Sequence, residues 1–549
     1  MNRTLVVCAV LLAGAGAFAM EKLGLPIEVT AREPAGVAWK SAPICGGIPL
    51  PWGVYKNDQG FALFAGDQEV PSQTLPLVVD EKGYLRWILL DYQVDLAPNE
   101  SKTFTLKAVD PKARPPSPLK VSETDKGVTV ETGAMTFTIA KDKPFSLFSS
   151  VSVGGKPVVA GGEVSYTDIT KDNPVRHVAD KPASIVVDYR GPMRTTIIVR
   201  APFQDDEKTK LMAIARITAW AGRSDVHVKY SLANSNKEHY TYRMIQDSSI
   251  TLTLAGKPAK TLIGATEPQT LDGGASVTRG ARSMAGRRKP REGHTKVEQA
   301  GKSAWQADGR KENCHGWIAA QTGAGAVFAC DRYFNADPPR RMSTEGGALT
   351  LSGVIPRFDG PGGPAHMYAK HRWLMDCSHL DSQYVIDFAA PAEMKALDAR
   401  AEAARYPLHA MAPPAWYFET EGLSVGKFGT QEDELAAYDT WEWKYDKNRA
   451  PKSCRDNRRY VWGEDNHYEL EEDVVESILL MYLRTGSRDF YNTAEAWANY
   501  EMALRQWRTD DWRWRDGGVW WTGGGPVGNR PTRSKDPVTG RMHFLKCIG

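Results

Sequence analysis

The chain has no C-x-x-C pair, no compact acidic loop and no uncharged apolar run long enough for a comfortable membrane span. Each absence excludes something. Without paired cysteines there is no ready zinc site. Without clustered acidic and amide side chains there is no dedicated calcium loop. A helical membrane span takes about 20 apolar residues, and none is present. Charge of one sign is also lacking: 69 Lys and Arg against 66 Asp and Glu leave a formal charge of +3, which argues against general nucleic-acid binding. No convincing internal repeat is present. No cofactor is therefore expected, with calcium assistance left open.

At 549 residues the chain is long enough for several domains, each with its own core. Residues 1–19 read as a secretory signal. Arg3 supplies the positive start, Leu5 to Ala15 the apolar stretch, and Ala17-Phe18-Ala19 the cleavage site. A secreted or periplasmic protein, cut near Ala19, is expected. Six cysteines follow: Cys45, Cys314, Cys330, Cys377, Cys454 and Cys547. An oxidising compartment permits disulfides, and Cys314 and Cys330 could bridge neighbouring strands, but scattered structural thiols suit the spacing better.

Residues 20–112 alternate as strands do, in Pro26 to Thr30, Phe61 to Phe64, Leu85 to Tyr92 and Thr103 to Leu106. A small barrel or sandwich is expected. Ala113 to Pro118 holds three prolines and reads as a linker. Residues 119–388 form a longer β region. Val128–Thr132 and Met135–Ile139 flank Gly133-Ala134 as a hairpin would, and Leu211 to Leu232 gives two more strands around Ala221 to Asp225. Many short strands with regular turns predict a β-sandwich. Arg282, Arg287, Arg288, Lys289 and Arg291 crowd one segment, a solvated loop or an arm over a polyanion.

From residue 391 to 549 the period becomes helical. Pro391 suits a first turn, and Met394, Leu397, Ala401 and Ala404 follow at helical spacing. A second helix is expected from Asn466, with Asn466 as N-cap and Glu469 as its capping partner, through Leu470, Val474, Val475, Ile478, Leu479 and Tyr482. Gly486 ends it, and a third runs from Asp489. Helix, glycine turn, helix is how an α/α toroid is built. This region also holds 10 of the 17 tryptophans, between Trp416 and Trp521. Helical cores pack well without such a density of indole, whereas sugar rings stack their C–H faces on it. A carbohydrate-active site is the favoured reading.

Three stretches then resemble a known family: Gly47-Ile48-Pro49-Leu50-Pro51-Trp52-Gly53, Glu69-Val70-Pro71-Ser72-Gln73, and Gly83-Tyr84-Leu85-Arg86-Trp87-Ile88-Leu89-Leu90-Asp91. They are similar to the N-terminal barrel of the PcRGLX/YetA-like proteins, the exo-rhamnogalacturonan lyases of polysaccharide lyase family 26. Ala369-Lys370-His371 is similar to an Ala-Lys-Thr-His element of that family, lacking the Thr. Gly463 to Tyr468 and Leu483 to Gly486 look like the start of its C-terminal toroid. The resemblance implies a RIFT-type β-barrel, a central β-sandwich and an α/α toroid, here too short to close. It also implies an acidic glycan, the rhamnose–galacturonate backbone of pectin, cleaved by β-elimination.

Elimination next to a uronate needs a cation on the carboxylate, a base for the C5 proton and an acid for the leaving oxygen. His467 and Tyr468, in a first helical turn, are the candidate base and acid. A helix N-terminus favours the neutral imidazole that a base requires. Lys370 or Arg372 would neutralise the uronate, with His371 beside them; strand alternation lets at most two of the three share a face. Trp462, Trp443 and Trp441 are sugar-stacking candidates, and Asn466 a further substrate contact. His315 with Trp317 is a third group. Glu464, Asp465 and Glu469 keep a glycoside hydrolase open as a rival. A non-catalytic carbohydrate-binding protein is the other.

Overall fold

The computed structural model describes residues 24–112, 117–170, 173–204, 211–234, 242–280, 294–308, 314–335, 339–355, 372–375, 379–420 and 474–486, with scattered positions from 488 to 519. Most of this is strand, in three large sheets.

The first sheet has eight strands, in the order Gln68–Val70, Ala62–Ala65, Ser101–Lys107, Ile27–Arg32, Leu408–Met411, Trp39–Pro49, Leu85–Leu96, Ser72–Val79. Alternating residues such as Val29, Ile44, Ile48, Leu90, Tyr92 and Leu106 point to one side and build its core. The second and third sheets have thirteen and nine strands and face each other across the largest core, with Val130, Phe137, Ile217, Leu252, Leu351 and Tyr384 at its centre. All their strands fall between Lys120 and Asp387. Both expected hairpins are present: Gly127–Glu131 pairs with Met135–Ala140, and Leu211–Trp220 with Asp225–Asn234.

The expected helical unit needs correction. Helix α1 (Met394–Arg405) forms as anticipated, and Leu397, Ala401 and Ala404 pack it on Trp317, Phe328 and Val385 of the nine-stranded sheet. The chain then returns as a strand, Leu408–Met411, which inserts between Ile27–Arg32 and Trp39–Pro49. Pro407 and Pro413 bracket this strand, and neither fits a helix interior. Close approach is possible because residue 46 is glycine: a Cβ there would lie 2.1 Å from the carbonyl oxygen of Ala410. Helices α2 (Pro414–Glu419) and α3 (Val474–Thr485) follow, the latter closed by Gly486 at φ +66°. Ile478 and Tyr482 of α3 are buried against Phe490 and Ala494, while Leu479, expected on the same face, is exposed. No α/α toroid is formed among the described residues.

The family-like stretches of the first sheet hold the architecture together. Arg86 donates to the carbonyls of Leu50 (2.6 Å) and Thr420 (3.1 Å), and Trp416 Nε1 to that of Pro49 (2.7 Å). Gln73 donates to Asp91 (3.1 Å) and accepts from the amide of Met193 (2.8 Å), while Arg194 pairs with Asp91 at 3.0 Å. These contacts tie the first sheet to α2 and to the sandwich. Cys45, Cys314 and Cys330 are thiols rather than disulfide partners, so the suggested bridge between the last two does not form. No described helix is long and apolar enough to cross a membrane.

Candidate functional site

A cavity of about 130 Å³ opens on the outer face of the nine-stranded sheet, roofed by Ala404 and Pro407 at the end of α1. Its floor follows from strand register. Arg216, Lys229 and Gln383 stand directly opposite one another on three neighbouring strands, and the amide of Arg332 extends the row by donating to Gln383 O (3.0 Å). Thr218, His227 and Val385 form the next row. Period-two alternation puts all of these on the face away from the core, whose side is taken by Val226, Val228 and Tyr230.

Arg216 opposite Lys229 is a like-charge pair, unfavourable unless offset. Asp188 meets Arg216 at 2.7 Å and Asp381 meets Lys229 at 3.7 Å. Arg332 is held by Glu495, Nη2 to Oε2 at 3.0 Å and Nη1 to Oε1 at 3.3 Å. Gln383 Nε2 donates both to Glu495 (3.3 Å) and to the hydroxyl of Tyr333 (2.8 Å). Beneath them Arg340 and Asp331, almost wholly buried, pair at 3.0 Å, and Asp331 also accepts from the amide of Tyr333 at 2.8 Å. That buried pair fixes the turn carrying Arg332 and Tyr333.

The protonation states follow from this packing. Enclosure in the concavity pushes the His227 imidazole down to about 4, with Arg223 and Arg332 adding to the shift and Asp225 opposing it. About a third of the side chain (35%) is open to solvent, which moderates the shift but not its direction. His227 is neutral at neutral pH. Burial raises Tyr333 well above the ordinary phenol range, so its hydroxyl keeps its proton. Burial alone would raise the carboxyls of Glu495 and Asp381. It is outweighed at Glu495 by the charge and hydrogen bonds of Arg332, and at Asp381 by His379 and Lys229, so both sit below the usual range.

A second polar cluster adjoins the first where Leu408–Met411 meets the helices. His409 Nδ1 lies 2.8 Å from the Tyr482 hydroxyl, its Nε2 lies 2.8 Å from Arg488, and its ring sits edge-on to Tyr491 at 4.3 Å. Burial, then Arg488 and Arg332, hold this imidazole well below its ordinary value.

The residues nominated from sequence are not brought together here. His467, Tyr468, Asn466, Trp462, Trp443, Trp441, Lys370 and His371 lie outside the described residues, as do Glu464, Asp465 and Glu469. Arg372 begins the strand Arg372–Met375, opposite Ile245 in the thirteen-stranded sheet, with its side chain outside what is described. His315 and Trp317 share one acceptor, Asp398 of α1, at 2.6 and 2.8 Å, which makes them a docking contact for that helix. Arg332, Tyr333, Gln383, His227 and Glu495 were missed. The available signal was alternation: His227, Lys229 and Ser231, like His379, Asp381 and Gln383, are polar every second residue. Among the described residues no group of three His, Cys, Asp or Glu could hold a metal ion.

No protein-family model and no curated protein matches the chain. Solved structures do. An α-mannosidase from Enterococcus faecalis V583 aligns at 10% identity and TM-score 0.44, over 70% of this chain and 46% of that one. A glycosyl hydrolase family 38 protein from Enterococcus faecalis aligns at 10% identity and TM-score 0.45, over 70% and 47%. A galactose mutarotase related enzyme from Lactobacillus acidophilus aligns at 9% identity and TM-score 0.25, over 49% of this chain and 96% of that one. The aligned part thus spans about half the length of the first two (46% and 47%). Likeness of this degree carries no argument about chemistry.

Proposed function

We propose that the chain is a carbohydrate-processing enzyme that cleaves a galacturonate-containing glycan, of the rhamnogalacturonan type, by β-elimination in the cavity of the nine-stranded sheet. The observation that carries this reading is the set of protonation states. A hydrolase needs one carboxyl kept protonated as its acid. Of the three carboxyls that meet the cavity's cations, Glu495 and Asp381 are held below the usual range and Asp188 is engaged by Arg216 at 2.7 Å. The groups suited to elimination are present instead: a neutral imidazole at His227 and the cations Lys229 and Arg332 in the lining, with the protonated phenol of Tyr333 next to the lining residue Gln383, from which it accepts at 2.8 Å.

In the proposed step His227 removes the C5 proton while a cation stabilises the carboxylate charge. The C4–O bond breaks, a C4–C5 double bond forms, and Tyr333 gives its proton to the departing oxygen. His467 and Tyr468 keep the base and acid roles expected of them from the sequence, so those two tasks each have two named candidates. Incubation with rhamnogalacturonan, followed by ultraviolet absorbance, tests the reaction. A rising signal from an unsaturated uronate supports elimination. New reducing ends without absorbance would make the chain a hydrolase. Binding with neither would make it a carbohydrate-binding protein.

A further inference from the structure

We propose that Arg332 and Gln383 form a carboxylate-binding subsite, and that Glu495 fills it in the resting chain as a stand-in for an acidic group of the ligand. That the ligand is a uronate rests on the reading above; that the subsite takes a carboxylate does not.

Three donors converge on one carboxylate: Arg332 Nη1 (3.3 Å), Arg332 Nη2 (3.0 Å) and Gln383 Nε2 (3.3 Å). The planar fork of a guanidinium matches a carboxylate in this way, whichever molecule supplies it. The receptor is built without Glu495. Arg332 and Gln383 are joined through the backbone at 3.0 Å and through their side chains, over the buried Arg340–Asp331 pair. Arg332 Nε is buried with no hydrogen-bond partner, leaving a further donor for a ligand oxygen.

The three acids that meet the cavity's cations differ in origin. Asp188 and Asp381 lie on strands of the same sheet as Arg216 and Lys229, so strand register fixes them. Glu495 arrives from the helical stretch beyond Gly486. An acidic ligand group entering this position displaces Glu495 and breaks that stretch's ion pair with the sheet. Binding is thereby coupled to its movement.

The test uses the full chain, wild type and Glu495→Gln, with acetate as probe and chloride at equal ionic strength as control. Glu495→Gln is expected to melt at lower temperature, and acetate but not chloride to restore most of the loss. By calorimetry acetate should bind the variant roughly tenfold tighter than wild type, because it no longer competes with a tethered carboxylate. Equal acetate affinity in both proteins would overturn the subsite and leave Glu495 as a structural partner. Should Glu495→Gln not fold, Glu495→Asp keeps the charge but shortens its reach, and an affinity above wild type is expected there too. An acetate affinity no higher than wild type in that variant would equally overturn the proposal. Galacturonate and galactose separate the two readings. Galacturonate binding Glu495→Gln tighter than acetate, with galactose inert, supports both. Acetate binding without any galacturonate advantage upholds the subsite and removes the uronate.

Discussion

Arg332 and Glu495 join the nine-stranded sheet to the C-terminal helical stretch through two parallel hydrogen bonds, at 3.0 and 3.3 Å. Only 12% of the arginine side chain and 22% of the glutamate is exposed, so solvent screens the pair weakly. Breaking a buried pair by removing one partner typically costs about 3–5 kcal/mol. Arg332→Gln should cost towards the lower end, given the residual exposure, and should abolish turnover of an acidic glycan. Denaturant unfolding and initial rates, measured on the same preparation, check both.

His227 sets the acid limit of the proposed reaction. A base must be unprotonated, and this imidazole gains its proton only below its ordinary 6.5, in the direction of about 4. Rates should therefore hold steady from neutral pH down to mildly acidic conditions and fall as pH approaches about 4. His227→Gln should lower the rate by about 10²–10⁴, the usual share of a general base. An unaltered rate in that variant, with loss in His467→Ala, would move the base to His467.

His409 makes the junction of strand and helices sensitive to acid. Its proton affinity is depressed in the folded chain, so the unfolded chain binds a proton first as pH falls. Stability from this group is complete above its ordinary value of 6.5 and declines as pH drops below it, toward the depressed folded value. Protonation would also set a second positive charge beside Arg488. Melting temperatures from pH 8 to 5 should show the decline, and His409→Gln should flatten it.

Gly46 admits the strand Leu408–Met411. Gly46→Ala would place a methyl 2.1 Å from Ala410 O, inside any tolerated contact. Overpacking of this kind usually costs about 1–3 kcal/mol, more when backbone must move. Amide exchange should reveal faster opening of 408–411 than of Trp39–Pro49.

How far the sequence was legible depended on the range of the interaction. The hairpin at Gly133-Ala134 and helix α1 are written in local alternation and spacing, and both form. The strand Leu408–Met411 is only four residues between prolines, and nothing local says that it pairs with residues nearly four hundred positions earlier. The cavity failed to show for the same reason. Arg216, Lys229, Gln383 and Arg332 are neighbours only through register across strands from distant parts of the chain. Tryptophan density drew attention to the C-terminal region, yet Trp416 of that set is core, buried and donating to Pro49 O.

The returning strand also orders events during synthesis. Ile27–Arg32 and Trp39–Pro49 leave the ribosome early, but the partner that separates them is made only after the entire sandwich. Until then each presents an unmatched edge, an invitation to pair with the wrong chain. The first sheet to be translated is the last to be completed. A fragment ending before Leu408 would carry that open seam permanently, and should aggregate where the longer chain stays dispersed.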